Sequence, residues 1–234
     1  MRVWLVSLLV VLAGCSAGTA AAPSAGDDPL GGQPAPRMTC HQFDDLSTPL
    51  AFHRSVAGYV ECARRMWQAP LQKVGVEAPA PEVFTVGVEE GGACIANLPD
   101  NAAGLFCSDD GSLVFAADLI ELAGYSGLTT PQVVFHEYAH AVQHAVGIDL
   151  DDDTELARRR VELQATCWSA MMLQNLNGLE VDDETRQALA AEVGSATSGE
   201  HGTGESRSKW ALVGLDATTI GQCDTAAVAA DEVA

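Results

Sequence analysis

The chain has 234 residues, among them 32 acidic and 12 basic side chains, for a formal net charge of −20. That balance argues against binding nucleic acid or anionic lipid headgroups through electrostatics, since like charges meet. It suits solubility, and an acidic surface is the plainest reading of it.

Residues 1–14 read as an export signal outside the fold. Arg2 is a minimal positive region, and Val3 to Leu12 form an apolar run broken only by Ser7. A bilayer span needs about 20 residues, so the run is too short to cross but fits a signal-peptide core. It ends in Leu12-Ala13-Gly14-Cys15, which resembles the bacterial lipobox. That resemblance implies lipidation of Cys15 and an anchor at the membrane without a spanning helix. The alternative is ordinary cleavage near residues 17–22. Residues 15–38 are rich in Ala, Gly, Pro, Ser and Asp, with no periodicity, and read as a flexible tether. The remainder, 39–223, is an ordinary size for one domain, and 224–234 reads as a disordered acidic tail.

Six cysteines remain after Cys15: Cys40, Cys62, Cys94, Cys107, Cys167 and Cys223. An even number in an exported chain suggests three disulfides, with about 15 possible pairings. No C-x-x-C pair favours cysteine ligation of zinc instead.

Along the domain, Thr39 to Gly75 looks mostly helical, with Phe52, Val56, Tyr59, Val60, Ala63, Met66 and Trp67 at helical spacing. His41 and His53 lack a partner at ligand spacing and read as structural. Residues 82–88 read as a strand. Leu105-Phe106-Cys107 and Leu113-Val114-Phe115 flank a Ser-Asp-Asp-Gly turn signal and predict a hairpin. A short helix is expected around Asp118 to Gly124. Sheet first and helices afterwards is an α+β order.

The chemistry begins at His136-Glu137-Tyr138-Ala139-His140, an H-E-x-x-H stretch. Thr130-Pro131 predicts its helix start, as N-cap and first helical residue, and Gly147 its stop. Residues four apart share a helix face, so His136 and His140 can aim two imidazoles at one metal ion. Glu137 lies close enough to act as general base toward water on that metal, the pattern of a zinc peptidase helix. His136, Glu137, His140, Gln143 and His144 fall within an arc of about 120°, a polar stripe on an otherwise apolar helix. Five residues alone also occur on surface helices with unrelated histidines; the stripe favours the metal.

A third ligand is needed. Downstream of Asp151, Asp152 and Asp153, whose charge suits a helix N-terminus, a second helix carries Glu162. Its alternatives are a surface ion pair with Arg158 or Arg159, or a carboxylate ligand completing a His2Glu set. His144 is a weaker candidate ligand. His201 lies in the glycine-rich loop Ser198 to Gly204, ahead of a final helix over 205–215. It is either an exposed loop histidine or a donor to a developing oxyanion. Arg207 would orient that loop or bind a substrate carboxylate.

Taken together, His136 to Gln143, then Glu162-Leu163-Gln164-Ala165-Thr166-Cys167, then His201-Gly202-Thr203 with Arg207 and Trp210, resemble the bacterial neutral zinc metallopeptidase family. Cys94 and the segment Leu105 to Asp109 are similar to its strand pair carrying two cysteines. The resemblance covers about residues 90 to 215. It implies a zincin-like α+β fold, a small antiparallel sheet followed by a helical zinc-binding half. One Zn2+ would be held by His136, His140 and Glu162, with Glu137 as base and His201 assisting. Cys94–Cys107 is the leading disulfide, with Cys40–Cys62 and Cys167–Cys223 completing the set. The chain departs from the family at Thr166, where an Asp is usual and would hold a ligand histidine. It departs also at Ser195 and Ala141. The expected function is zinc-dependent hydrolysis of peptide or protein substrates at the cell envelope. A zincin-fold lipoprotein that binds without turnover is the alternative that Thr166 favours.

Overall fold

The computed structural model describes residues 30–40, 47–88, 92–98, 102–116, 128–177, 181–195 and 201–234. Strand β1 is Met38–Thr39, and helix α1 spans Pro49–Lys73. The expected helical stretch thus starts only at Pro49, where Thr48 caps the first turn by accepting from the Ala51 amide at 3.1 Å. All seven apolar residues that predicted α1 are buried along one face. Strand β2 is Val83–Thr85, shorter than expected because the chain turns at Thr85, whose carbonyl accepts from Val88. Strands β3 (Gly104–Phe106) and β4 (Leu113–Phe115) form the expected antiparallel hairpin. The short helix expected at 118–124 lies outside the described residues.

The sheet itself is mixed rather than antiparallel. Its order is β2-β4-β3, and β2 runs parallel to β4 with Val83 opposite Leu113. A parallel pair needs a crossover, and here the chain between them passes through a 3-10 turn at Ile95–Asn97 and then β3. The Cys94–Cys107 disulfide ties that crossover to the end of β3.

The helical half follows as α2 (Thr129–Ala145), α3 (Glu155–Gln174), α4 (Asp183–Ser195) and α5 (Gly204–Asp216), with strand β5 (Leu176–Asn177) after α3, parallel to β1. Helix α2 begins before the expected Thr130: its N-cap is Leu128, and Pro131 lies within the first turn. No side chain caps this helix start, and the Thr129 hydroxyl donates to Glu192 of α4. Aromatic contacts hold α1, α2 and α3 together. Trp67 and Trp168 lie 4.9 Å apart, Tyr59 meets Phe135 edge-on at 5.9 Å, and the Trp67 indole nitrogen lies 3.1 Å from Met172 Sδ. Helices α3 and α5 approach so closely that a Cβ on Gly214 would stand 2.1 Å from the Cys167 carbonyl oxygen. The Cys167–Cys223 disulfide closes over the same crossing, and Cys40–Cys62 ties the chain ahead of α1 to that helix.

Two segments expected to be loose are packed. Leu30, in the expected tether, is 1% exposed, and Ala35 donates to Thr218 while Ile220 and Gly221 donate back to Gln33 and Gly31. The folded unit therefore includes residues 30–38. Residues 224–234 are likewise ordered rather than a disordered tail. Thr225 donates to the Arg160 carbonyl, Arg160 donates to the Val228 carbonyl, and Val233 is fully buried. The Trp210 indole donates to the Glu232 carbonyl. In both segments one apolar anchor and a ladder of backbone acceptors outweigh the composition.

Three disulfides point to an oxidising, extracytoplasmic environment. No helix among the described residues is long and apolar enough to cross a membrane. Residues 1–29, including Cys15, lie outside the described residues. Gly214→Ala forces α3 and α5 apart and is expected to cost about 3 kcal/mol, the upper end for overpacking. Chemical denaturation reads this as a lower midpoint; an unchanged midpoint contradicts the close crossing.

Candidate metal centre

Helix α2 presents His136 and His140 one turn apart, with ring centroids 4.8 Å apart and their Nε2 atoms at 3.2 Å. Helix α3 brings Glu162 opposite them. Its Oε2 lies 3.1 Å from His136 Nε2 and 3.5 Å from His140 Nε2. Glu162 is thus turned to the histidines, and Arg159 pairs with Glu155 instead. Thr154 starts α3 by accepting from the Ala157 amide at 3.4 Å, which sets Glu162 two turns into the helix.

The donors fit a metal ion. Tetrahedral ligands at about 2.0–2.1 Å from zinc stand about 3.3–3.4 Å from one another. The three separations here, 3.1, 3.2 and 3.5 Å, bracket that edge. His136, His140 and Glu162 can therefore hold one ion. A second cluster, Cys94, Cys107 and Asp109, has matching spacing, but its two sulfurs are bonded to each other and have no lone thiolate to offer.

His201 joins the first cluster from the loop before α5, its Nε2 3.0 Å from Glu162 Oε2. One carboxylate oxygen therefore faces three imidazoles. Burial alone would raise the Glu162 carboxyl; the charge on His140 and hydrogen bonds from the three rings outweigh it and hold the group well below the ordinary carboxylate range. Burial would likewise lower His140, yet the adjacent Glu162 carboxylate raises it to about 9. His201 moves up for the same reason, against its own burial.

Glu137 sits beside the pair at the edge of the sheet, 9% exposed. Ala103 and Cys107 turn their backbone groups to β4, so the Phe106 amide between them points off the free edge. It donates to Glu137 Oε2 at 3.0 Å. Only a glycine fits next to it: a Cβ on Gly104 would stand 2.7 Å from Glu137 Cγ. The base candidate is thus held by β3 while its other oxygen is left for a different partner.

Thr166 stands where the family resemblance has an Asp that would hold a ligand histidine. It is buried, and among the described residues its hydroxyl makes no hydrogen bond to His136 or His140; its carbonyl accepts from Ser169 at 2.8 Å. The outer nitrogen of His140 is met instead by Gln143 Oε1 at 2.8 Å. Gln143 lies on the polar stripe, and its position three residues after a ligand, on the same face, is the signal in the sequence for this contact. Arg207 is buried and donates to the Gly194 carbonyl at 3.2 Å, joining α5 to the end of α4 rather than facing a substrate carboxylate. His144 is exposed, 5.6 Å from the Phe106 ring, and is not a ligand. His53 bonds Thr85 at 3.1 Å, a structural role, and His41 lies outside the described residues.

Metal binding must expel the proton that His140 carries on Nε2. Because its folded value is raised to about 9, metal affinity is expected to rise with pH through that value and level off above it. A chelator-competition titration across pH reads this directly; affinity that is flat from neutral pH upward contradicts it. No protein-family model matches the chain, and neither the curated proteins nor the solved structures contain a match, so the chemistry of the centre rests on its own donors and distances.

Proposed function

We propose that the chain is a zinc-dependent peptidase of zincin-like architecture, acting on peptide or protein substrates at the cell envelope and held there by lipid on Cys15. The observation that carries this reading is the meeting of His136, His140 and Glu162 at one point, with Glu137 beside them on α2, held by the Phe106 amide at the β3 edge. A two-histidine, one-carboxylate set is the donor chemistry of hydrolytic zinc sites, which keep a position open. Zinc held there would supply Lewis-acid polarisation of a carbonyl and acidify a water molecule to near neutral pH.

The chain's own groups divide the remaining work. Glu137 takes a proton on its free oxygen and returns it to the departing amine. The Phe106 amide keeps that carboxylate aimed during both transfers. His201 borders the same space, where an imidazole N–H can steady charge on a carbonyl oxygen. The disulfides support an extracytoplasmic setting, where a lipid on Cys15 would hold the chain at the membrane.

A second reading, a binding or scaffold lipoprotein that keeps the metal without turnover, is favoured by one observation. His201 Nε2 lies against Glu162 Oε2 at 3.0 Å, engaged by the ligand carboxylate rather than free for a substrate oxygen. Glu137→Gln separates the two. In a peptidase the variant retains the parent's zinc content while cleavage of a mixed peptide library falls by about 10²- to 10⁴-fold. Equal cleavage by parent and variant would sink the peptidase reading, and zinc-loaded parent that cleaves nothing supports the scaffold.

A further inference from the structure

Gln143 is fully buried, on α2 between His140 and helix α3. Three hydrogen bonds define how its carboxamide is turned. Its Nε2 lies 2.8 Å from the Val161 carbonyl oxygen and 3.0 Å from Gln164 Oε1. A backbone carbonyl only accepts, so the amide nitrogen must be on that side. The amide oxygen then faces His140 Nδ1, at 2.8 Å. An amide oxygen also only accepts, so Nδ1 carries the hydrogen. The lone pair available to a metal is therefore on Nε2, the atom that faces Glu162 and His136.

The same side chain touches the other ligand helix at a telling place. Val161 immediately precedes Glu162, and Gln164 follows it by two. A donor fastened to the Val161 carbonyl and to Gln164 Oε1 fixes the carboxamide against α3, so its oxygen stays turned to His140. We infer that Gln143 is a positioning residue for the centre. It selects the metal-binding tautomer of His140, and its two bonds to α3 hold the amide in the orientation that does so. This rests on the reading of the centre as a metal site, and does not depend on turnover.

A Gln143 that merely glues two helices together predicts something different, and two substitutions tell them apart. Gln143→Met keeps the length and removes every polar partner. Gln143→Glu keeps an acceptor for His140 Nδ1–H, and Gln164 can turn its amide to donate to it, but the bond to the Val161 carbonyl is lost. A buried carboxylate facing a carbonyl costs stability, so without metal the Glu variant melts no higher than the Met variant. Zinc affinity, measured by competition with a chromophoric chelator, is expected in the opposite order. Met weakens binding about 10- to 100-fold, and Glu recovers it to within about threefold of the parent, as a carboxylate behind a ligand histidine does.

Affinity for the Met variant within about threefold of the parent, or a Glu variant that binds no better than Met, overturns the positioning role. Neither result touches the parent's own zinc binding, whereas a parent that binds no zinc overturns the metal site and this role with it. The zinc-loaded parent offers a reading that needs no variant: the His140 Nδ1–H proton should exchange slowly with solvent in NMR spectra. Rapid exchange there also overturns the inference.

Discussion

A half-buried carboxylate among three imidazoles is the constraint around which this molecule is organised. Removing an ionised carboxyl from solvent is costly unless opposite charge and hydrogen bonds meet it. Glu162 is met by His136, His140 and His201 within 3.5 Å. Such a cluster repels a poorly placed neighbour as strongly as it rewards a well-placed one, so the two helices that carry it must be held in register. The apolar core does that holding. Trp67, Trp168, Tyr59 and Phe135 pack across α1, α2 and α3, and the Gly214 crossing lets α5 press onto α3.

The periphery serves the same end. Residues 224–234 run beside α3 at Arg160 and finish at the start of α5, where the Thr203 and Ser206 hydroxyls donate to the Ala234 carbonyl. They therefore join the helix of Glu162 to the loop of His201. On the opposite side, the hairpin tied by Cys94–Cys107 sets the Phe106 amide against Glu137. Helices supply ligands, a strand edge holds the base, and a disulfide or a packed segment fixes each loop that approaches them.

Much of the centre was legible in the chain because helical spacing is a strong rule. Two histidines four apart must share a face, and Glu162, two turns into the next helix, lies within reach of them. Gln143 was visible on the same stripe, yet nothing local says which of several polar neighbours will meet Nδ1. That depends on where Val161 and Gln164 of another helix arrive. The mixed sheet was hidden for a related reason: turn residues announce the β3–β4 hairpin, while the partner of β2 is chosen by a crossover. The two packed end segments are not legible from composition, because a single Leu30 or Val233 in a run of small residues carries no periodic signal.

Metal analysis of protein offered zinc and then dialysed tests the central claim most directly. The parent should retain close to one zinc per chain, and His136→Ala, His140→Ala and Glu162→Ala should each retain almost none. A parent that emerges without metal, or a Glu162→Ala protein that holds as much as the parent, would contradict a centre built from these three side chains.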